Sequence, residues 1–145
     1  MSQQQPWWNG AVIYQLIVRS YSDGNGDGIG DLQGLAGRLP YLRWLGVEAV
    51  WLTPIYPSPL LDGGYDITDF KAIHPDLGDL AAFHRFLTAA HGQGIKVVMD
   101  LVMNHTSTLH PWFQRARWAP HGSAERDFYV WSDDNNRYAD APVLF

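Results

Sequence analysis

The chain has 145 residues, a hydrophobic content of 46% and a formal net charge of −5, which suits one domain with a buried core. The acidic balance argues against a surface for nucleic acids or anionic membranes. No cysteine is present, which excludes a disulfide framework and a thiolate metal site or nucleophile. The N-terminus lacks a basic start and an apolar core, and no apolar run approaches the roughly 20 residues of a membrane span. We therefore expect a soluble, cytoplasmic protein without a signal peptide.

Three apolar segments predict the strands of a sheet. They span residues 11–18, 48–53 and 96–103, and their branched apolar residues are typical of parallel strands that are buried on both faces. Helical patterns separate them, so the order is strand, helix, strand, helix, strand. This order favours a parallel sheet with right-handed crossovers, and we predict an α/β fold.

Two helices are predicted between these strands. The first carries leucines at positions 35, 39, 42 and 45, a stripe at spacings of three and four residues. Pro40 lies inside this stripe and predicts a kink or a restart, and Gly46 ends the helix. The second helix spans residues 80–91, with Asp79 as its N-cap.

Residues 106–145 do not continue this alternation. They are rich in aromatic, proline and charged residues, with one short helix predicted over residues 111–118. A (β/α)₈ barrel needs eight strands and about 250 residues, and only three strands are predicted here. Three parallel strands followed by an irregular segment therefore look like the front portion of a larger fold.

The segment after the first strand is rich in aspartate and glycine and reads D-x-N-x-D-G-x-x-D. Oxygen donors at alternate positions, a glycine for a sharp turn and a backbone carbonyl suit a hard cation, Ca²⁺ or Mg²⁺. The predicted ligands are Asp23, Asn25, Asp27, the carbonyl of Ile29, and Asp31. A strand precedes the loop, and Gly34 stands where an EF-hand has its glutamate, so the loop is not an EF-hand. The alternative is a turn that holds water.

The connection over residues 54–78 is long and contains the cluster Asp62-Gly63-Gly64-Tyr65-Asp66. Structureless connections of this length are usually functional. An aromatic face and carboxylates that accept from hydroxyls would suit a sugar. The alternative is two turn-forming aspartates and a half-buried tyrosine.

The third predicted strand contains an acid, Asp100, and is followed by Asn104 and His105. A buried acid costs several kcal/mol, as an order of magnitude, unless it has a partner. Polar groups at the carboxyl ends of strands are where α/β barrels place their chemistry. The alternatives are a satisfied buried aspartate with an Asn-His turn, or a metal-linked structural site. The other histidines have no metal-ligand spacing with His105, which argues against zinc.

Four segments together resemble the α-amylase superfamily (glycoside hydrolase family 13): residues 11–31, 45–54, 64–70 and 100–105. The last of these matches the family's D-x-x-x-N-H signature. The resemblance implies the N-terminal part of a (β/α)₈ TIM barrel, with its first three strands and two helices in residues 1–105. Residues 106–145 would begin the subdomain that is inserted after the third strand.

The resemblance also implies how the chain would bind a sugar. Asp62 and Tyr65 would form the pocket for the non-reducing glucose, with Asp62 holding its hydroxyls and Tyr65 stacking on the ring. His105 would donate to the hydroxyls next to the reacting carbon, a contact that strengthens as the oxocarbenium-like state forms.

Further roles follow from the same resemblance. Asp100 and Asp66 would be supporting acids, with an arginine on the next strand as the partner of Asp100, and Asn104 would ligate a second Ca²⁺. The retaining mechanism needs a nucleophilic aspartate and an acid/base glutamate, which are expected on later strands, after Phe145. We therefore expect no catalytic residue in this chain, and no activity from it alone.

Within the family, the first loop resembles the branch that contains α-glucosidases and the enzymes that interconvert maltose and trehalose. Residues 110–117 and 125–133 are most similar to the enzymes that interconvert maltose and trehalose by intramolecular glucosyl transfer. The implied partners are maltose, trehalose or related α-glucosides, and no organic cofactor is implied. One alternative is an α-glucosidase or oligosaccharide hydrolase of the same family. The alternative from another class is a non-catalytic sugar-binding or scaffold module.

Overall fold

The sheet has the predicted strand order. A computed structural model describes residues 5–134 and residue 136. Its parallel sheet has the order β1-β2-β3, formed by β1 (Ile13–Leu16), β2 (Ala49–Leu52) and β3 (Lys96–Met99). Each connection between strands contains one α-helix, α1 (Leu32–Trp44) and then α2 (Leu80–Gly92), and the second connection also contains a 3₁₀ helix, Pro75–Leu77. The predicted alternation of strands and helices is confirmed.

The strands are shorter than predicted, and this changes the position of Asp100. After β1 the chain turns into a short 3₁₀ helix, Val18–Ser20. β3 ends at Met99, and the backbone N–H of Asp100 makes the last bond of this ladder, to the Leu52 carbonyl at 3.2 Å. The prediction that Asp100 interrupts a strand is therefore wrong, because the acid lies one residue beyond its end, where its side chain is half-buried.

One face of the sheet carries the hydrophobic core. Val50 and Leu52 on β2 are fully buried, whereas Trp51 between them is 36% exposed. The core joins this face to both helices through side chains such as Leu39 and Phe86. The opposite face is partly exposed in the part of the chain that the structure describes: Trp51 and Ile13 on this face are 36% and 44% exposed, although Ala49 between them is buried. The prediction of strands buried on both faces is wrong for these residues, because both connecting helices pack on the same face.

An aspartate caps the N-terminus of each of these two helices. The Asp31 carboxylate accepts from the backbone N–H of Gly34 at 2.6 Å, and Asp79 accepts from that of Ala82 at 2.6 Å. The predicted cap at Asp79 is confirmed. α1 runs through Pro40 as one helix, so it does not restart there.

The chain divides into two compact units, the first running through His110 and the second beginning at Pro111; the sequence prediction placed the boundary after residue 105. The second unit contains α3 (Pro111–Trp118), which was predicted, and α4 (Ala124–Asp127). Arg126 organises this unit: its Nη1 donates to the Arg117 carbonyl at 2.8 Å, and its guanidinium lies 3.7 Å from the centre of the Trp131 ring. Within the described ranges, no helix is long and apolar enough to cross a membrane.

Candidate functional site

Polar side chains gather where β2 and β3 end. Trp51 lies opposite Val98 in the parallel register, and side chains two residues apart share a face, so Asp100 projects from the same face as Trp51. The indole Nε1–H of Trp51 donates to Asp100 Oδ1 at 2.6 Å. The hydroxyl of Tyr65, from the long connection, donates to Asp100 Oδ2 at 2.7 Å. Both carboxylate oxygens are therefore hydrogen-bonded, which offsets much of the cost of partial burial.

The Tyr65 hydroxyl is held as a neutral donor. The hydrogen bond to Asp100, partial burial, and the negative charges of Asp100 and Asp62 raise the pKa of Tyr65 to about 12. Nearby, the Tyr56 hydroxyl donates to the Asp100 carbonyl at 3.3 Å, and burial and the Asp100 charge raise its pKa. Near neutral pH both phenols keep their protons, and these point at Asp100.

His105 and Asp62 come together beside this group. His105 Nε2 lies 3.9 Å from Asp62 Oδ2, and their side chains are 38% and 15% exposed. The Asn104 amide nitrogen lies 3.3 Å from His105 Nδ1. With that amide as donor, Nδ1 accepts and Nε2 carries the proton that faces Asp62. The structure thus brings the three predicted sugar-binding residues, Asp62, Tyr65 and His105, to one edge of the sheet.

Asp66 closes the loop that carries Asp62 and Tyr65. Its carboxylate accepts from the Ser58 hydroxyl and, at 3.1 Å, from the Leu61 backbone N–H. Burial raises the pKa of Asp66, but these hydrogen bonds outweigh it and bring the pKa below its usual range. The Asp66 N–H in turn donates to Asp62 Oδ1 at 2.7 Å. Asp66 therefore holds together the loop that carries Asp62 and Tyr65; its supporting role in a sugar site stays a prediction.

The same loop is tied at its neck. Thr68 donates to the Pro57 carbonyl twice, from its backbone N–H at 2.8 Å and from its hydroxyl at 3.0 Å. Residues 57–68 form a closed loop whose ends meet, as in compact Ω-loops.

The predicted metal loop presents oxygen donors only, which fits a hard cation in its chemistry. These oxygens bind amides of their own segment: Asp23 accepts from the backbone N–H groups of Gly28 and Gly26 at 2.7 and 2.6 Å, and these bonds lower its pKa. Asp27 accepts from the Ile29 N–H at 2.8 Å and from the Asn25 amide at 3.0 Å.

The last predicted ligand of this loop, Asp31, is buried and uses both oxygens, one on the Gly34 N–H and the other on the Gly24 N–H at 3.3 Å. Among the residues that the structure describes, no three histidine, aspartate or glutamate side chains form a metal-binding group. Cation binding by this loop stays a prediction, as does the second Ca²⁺ at Asn104.

Sequence reasoning missed Trp51 and Tyr56. A tryptophan in a strand needs a partner for its indole N–H, and that requirement was the available signal. The partner depends on the register that places Trp51 beside β3, and the register is not visible in the sequence. The predicted arginine partner of Asp100 would lie after Phe145 and stays a prediction.

Comparisons with known proteins identify the family. The model of the α-amylase catalytic domain matches residues 15–143. The chain is 50% identical over 145 residues to the trehalose synthase of Pimelobacter sp. (strain R48), covering 100% of this chain and 25% of that protein. It is 49% identical over 130 residues to the trehalose-6-phosphate hydrolase of Bacillus subtilis (strain 168), covering 90% and 23%. The crystal structure of the α-glucosyl transfer enzyme XgtA superposes with a TM-score of 0.85 at 49% identity, covering 92% of this chain and 25% of that one.

This chain thus spans about a quarter of the length of the curated relatives that it matches. Its parallel sheet and helices correspond to the start of their barrel. The chain belongs to the α-amylase family, glycoside hydrolase family 13, and its fold is the N-terminal part of a (β/α)₈ barrel.

Proposed function

We propose that this chain forms one wall of the sugar site of a retaining α-glucosyl enzyme that interconverts maltose and trehalose by intramolecular glucosyl transfer. The observation that carries the proposal is the set of groups at the carboxyl ends of β2 and β3: an aromatic ring at Tyr65, an acceptor at Asp62 and a donor at His105. A sugar offers apolar ring faces and hydroxyls that both donate and accept, and this set is complementary to it.

Each of these residues has a distinct task in the proposed reaction. Asp62 accepts from hydroxyls of the non-reducing glucose, and Tyr65 stacks on the ring. His105 donates through Nε2–H to the hydroxyls beside the reacting carbon. Hydrogen bonds to these hydroxyls are expected to strengthen as the oxocarbenium-like transition state forms, so that they favour the transition state over the bound substrate.

Bond cleavage needs two further carboxyl groups, about 5 Å apart in retaining enzymes. The proposal takes them from later strands of the barrel. Isomerisation rather than hydrolysis further requires that water be kept from the glucosyl intermediate.

Two other activities are alternatives. A hydrolase that acts on α-glucosides is supported by the similarity to the trehalose-6-phosphate hydrolase, which is 49% identical over 130 residues, against 50% over 145 residues for the trehalose synthase. A non-catalytic sugar-binding module would keep the same wall without the two carboxyl groups. The residues of the next two strands distinguish this module from the two enzymes. A non-catalytic module would lack R-x-D on the next strand and a glutamate on the strand after it.

The test is the reaction of the complete polypeptide with maltose, followed by proton NMR of the anomeric signals. We expect trehalose to accumulate. Accumulation of glucose without trehalose would contradict isomerisation and favour the hydrolase, and an unchanged maltose signal would contradict both enzymes.

A pair of matched variants tests the wall itself. Asp62→Asn should lower kcat/KM by roughly 10- to 100-fold, the range expected for one hydrogen bond to a charged group. Asp69→Asn is the control, since Asp69 is exposed on the same connection and its carboxylate accepts from the backbone N–H of Lys71. Equal effects of the two substitutions would refute the assignment of Asp62.

A further inference from the structure

The resemblance to the family does not assign Trp51 to the site, yet Trp51 donates a hydrogen bond to Asp100, one of the residues that it does assign. Trp51 stands on β2 between the fully buried Val50 and Leu52, and its ring projects from the opposite, partly exposed face of the sheet. There its indole N–H reaches Asp100 Oδ1 at 2.6 Å, while the Tyr65 hydroxyl holds Oδ2 at 2.7 Å. One carboxylate thus bridges a strand residue and a loop residue.

We propose that Trp51 is a positioning residue of the sugar site: its indole N–H fixes the Asp100 carboxylate, which in turn orients the hydroxyl and ring of Tyr65. The inference rests on the proposed function, because the ring of Tyr65 is the surface that it positions. It adds a residue for which neither the D-x-x-x-N-H signature nor the loop motif accounts.

The chemistry of the three groups supports this order of action. An indole N–H can only donate and an ionised carboxylate can only accept. Because the indole belongs to a strand residue, it is the rigid anchor, whereas Tyr65 comes from a loop. A carboxylate held at one oxygen loses its freedom to rotate about the bond to Cβ, so its second oxygen becomes a fixed acceptor. The Tyr65 hydroxyl donates its hydrogen bond to that acceptor, so toward a sugar hydroxyl it can act only as an acceptor.

The first test is a double-mutant cycle on kcat/KM for maltose in the complete polypeptide. Trp51→Phe should lower kcat/KM about tenfold, the effect of losing one hydrogen bond to a charged group. In a Tyr65→Phe background the same substitution should change kcat/KM by less than about twofold, because the group through which it acts is gone. A merely structural role would lower kcat/KM by the same factor in both backgrounds, and that result would overturn the inference.

Two further variants keep the test valid if Trp51→Phe folds poorly. Replacement of Trp51 by 3-benzothienylalanine keeps the bicyclic shape and removes only the N–H, and it should reproduce the loss. Trp44→Phe is the matched control, since Trp44 is 79% exposed on α1 and stacks on Tyr41. An isosteric replacement at Trp51 with wild-type kcat/KM would refute the inference.

A readout without turnover separates this inference from the proposed function. The indole N–H resonance of Trp51, identified by its loss in Trp51→Phe, should move upfield in Asp100→Asn, while that of Trp44 stays in place. A Trp51 resonance that does not respond to Asp100→Asn would overturn the inference even in an active enzyme. A resonance that moves in a protein without activity on α-glucosides would instead count against the proposed function.

Discussion

Gly34 is the position where a single methyl group should do the most damage to the start of the barrel. A Cβ there would lie 2.0 Å from the Ser22 carbonyl oxygen and 2.8 Å from the Gly24 nitrogen. Both atoms belong to backbone that cannot simply move aside, because the Asp31 N–H donates to the Ser22 carbonyl at 3.0 Å and the Asp31 carboxylate binds the Gly24 N–H. In Gly34→Ala, the helix and the first loop must therefore separate.

The size of the effect follows from three contributions. Overpacking against backbone costs about 1–3 kcal/mol, and displacement of the Asp31 cap costs about 1 kcal/mol. The greater helix propensity of alanine returns about 1 kcal/mol. We expect a net loss of about 2 kcal/mol in the free energy of unfolding. Gly37→Ala, in the same helix, meets no atom within 4 Å and should gain up to about 1 kcal/mol.

The assay is urea unfolding of the complete polypeptide, followed by circular dichroism, for the two alanine variants and the parent. The midpoint should fall for Gly34→Ala and stay or rise for Gly37→Ala. The reasoning is refuted if Gly34→Ala unfolds at or above the urea concentration of the parent, since the close approach would then be relieved without cost.

Four further predictions concern the site, the loop, the second unit and the isolated chain. Asp100→Asn should lower the pKa of Tyr65 from about 12 toward 10, because the bond to Asp100 is its largest cause; the difference in phenolate absorbance between each protein and its Tyr65→Phe partner measures this, and an unchanged midpoint would contradict it. Because the pKa of Tyr65 is higher in the folded state than in the unfolded state, it adds to the free energy of unfolding. This contribution is fully present below about pH 10 and is lost as the pH rises through the folded-state pKa. Removal of Ca²⁺ by a chelator should lower the melting temperature, by an amount that grows with the logarithm of the ratio of Ca²⁺ concentration to Kd. Asp27→Ala should abolish the response, and calcium-independent melting of the parent protein would speak against the site. Arg126→Ala should destabilise the second unit by about 1–2 kcal/mol through loss of its bonds to the end of α3, seen as faster amide exchange there, whereas exchange like that of the parent would exclude this role. The 145-residue chain alone should lack a cooperative thermal transition, because one face and the edges of its sheet are partly exposed in the described residues; cooperative melting with native near-ultraviolet dichroism would disprove this.

The sequence predicted the order of the elements well because that order depends on local periodicity. Leucine spacing indicated α1 and apolar runs indicated the strands. Both patterns are local, so they can be read without knowing which elements pack together. The ends of the strands were less predictable. Residues 101–103 are apolar enough to continue β3, but the ladder stops at Asp100 because no residue of β2 after Leu52 is paired with β3.

The site could be predicted only where a motif carried it. Asp62, Tyr65 and His105 were found through the resemblance, and the structure brings them together. Trp51 was missed because its contact with Asp100 depends on strand register, a tertiary property. The prediction that the strands are buried on both faces was wrong for a similar reason, because burial depends on which other elements cover the sheet.

The closed loop of residues 57–68 has a consequence for the thermodynamics of the proposed sugar binding. Its neck at Thr68 and its internal bonds at Asp66 are made within the chain, so its conformational entropy is lost when the protein folds. A ligand that docks against Asp62 and Tyr65 therefore meets a preorganised surface and does not have to order it. Binding at this wall should resemble a rigid-body encounter, with an entropy change dominated by released water and by the ligand's own rotors.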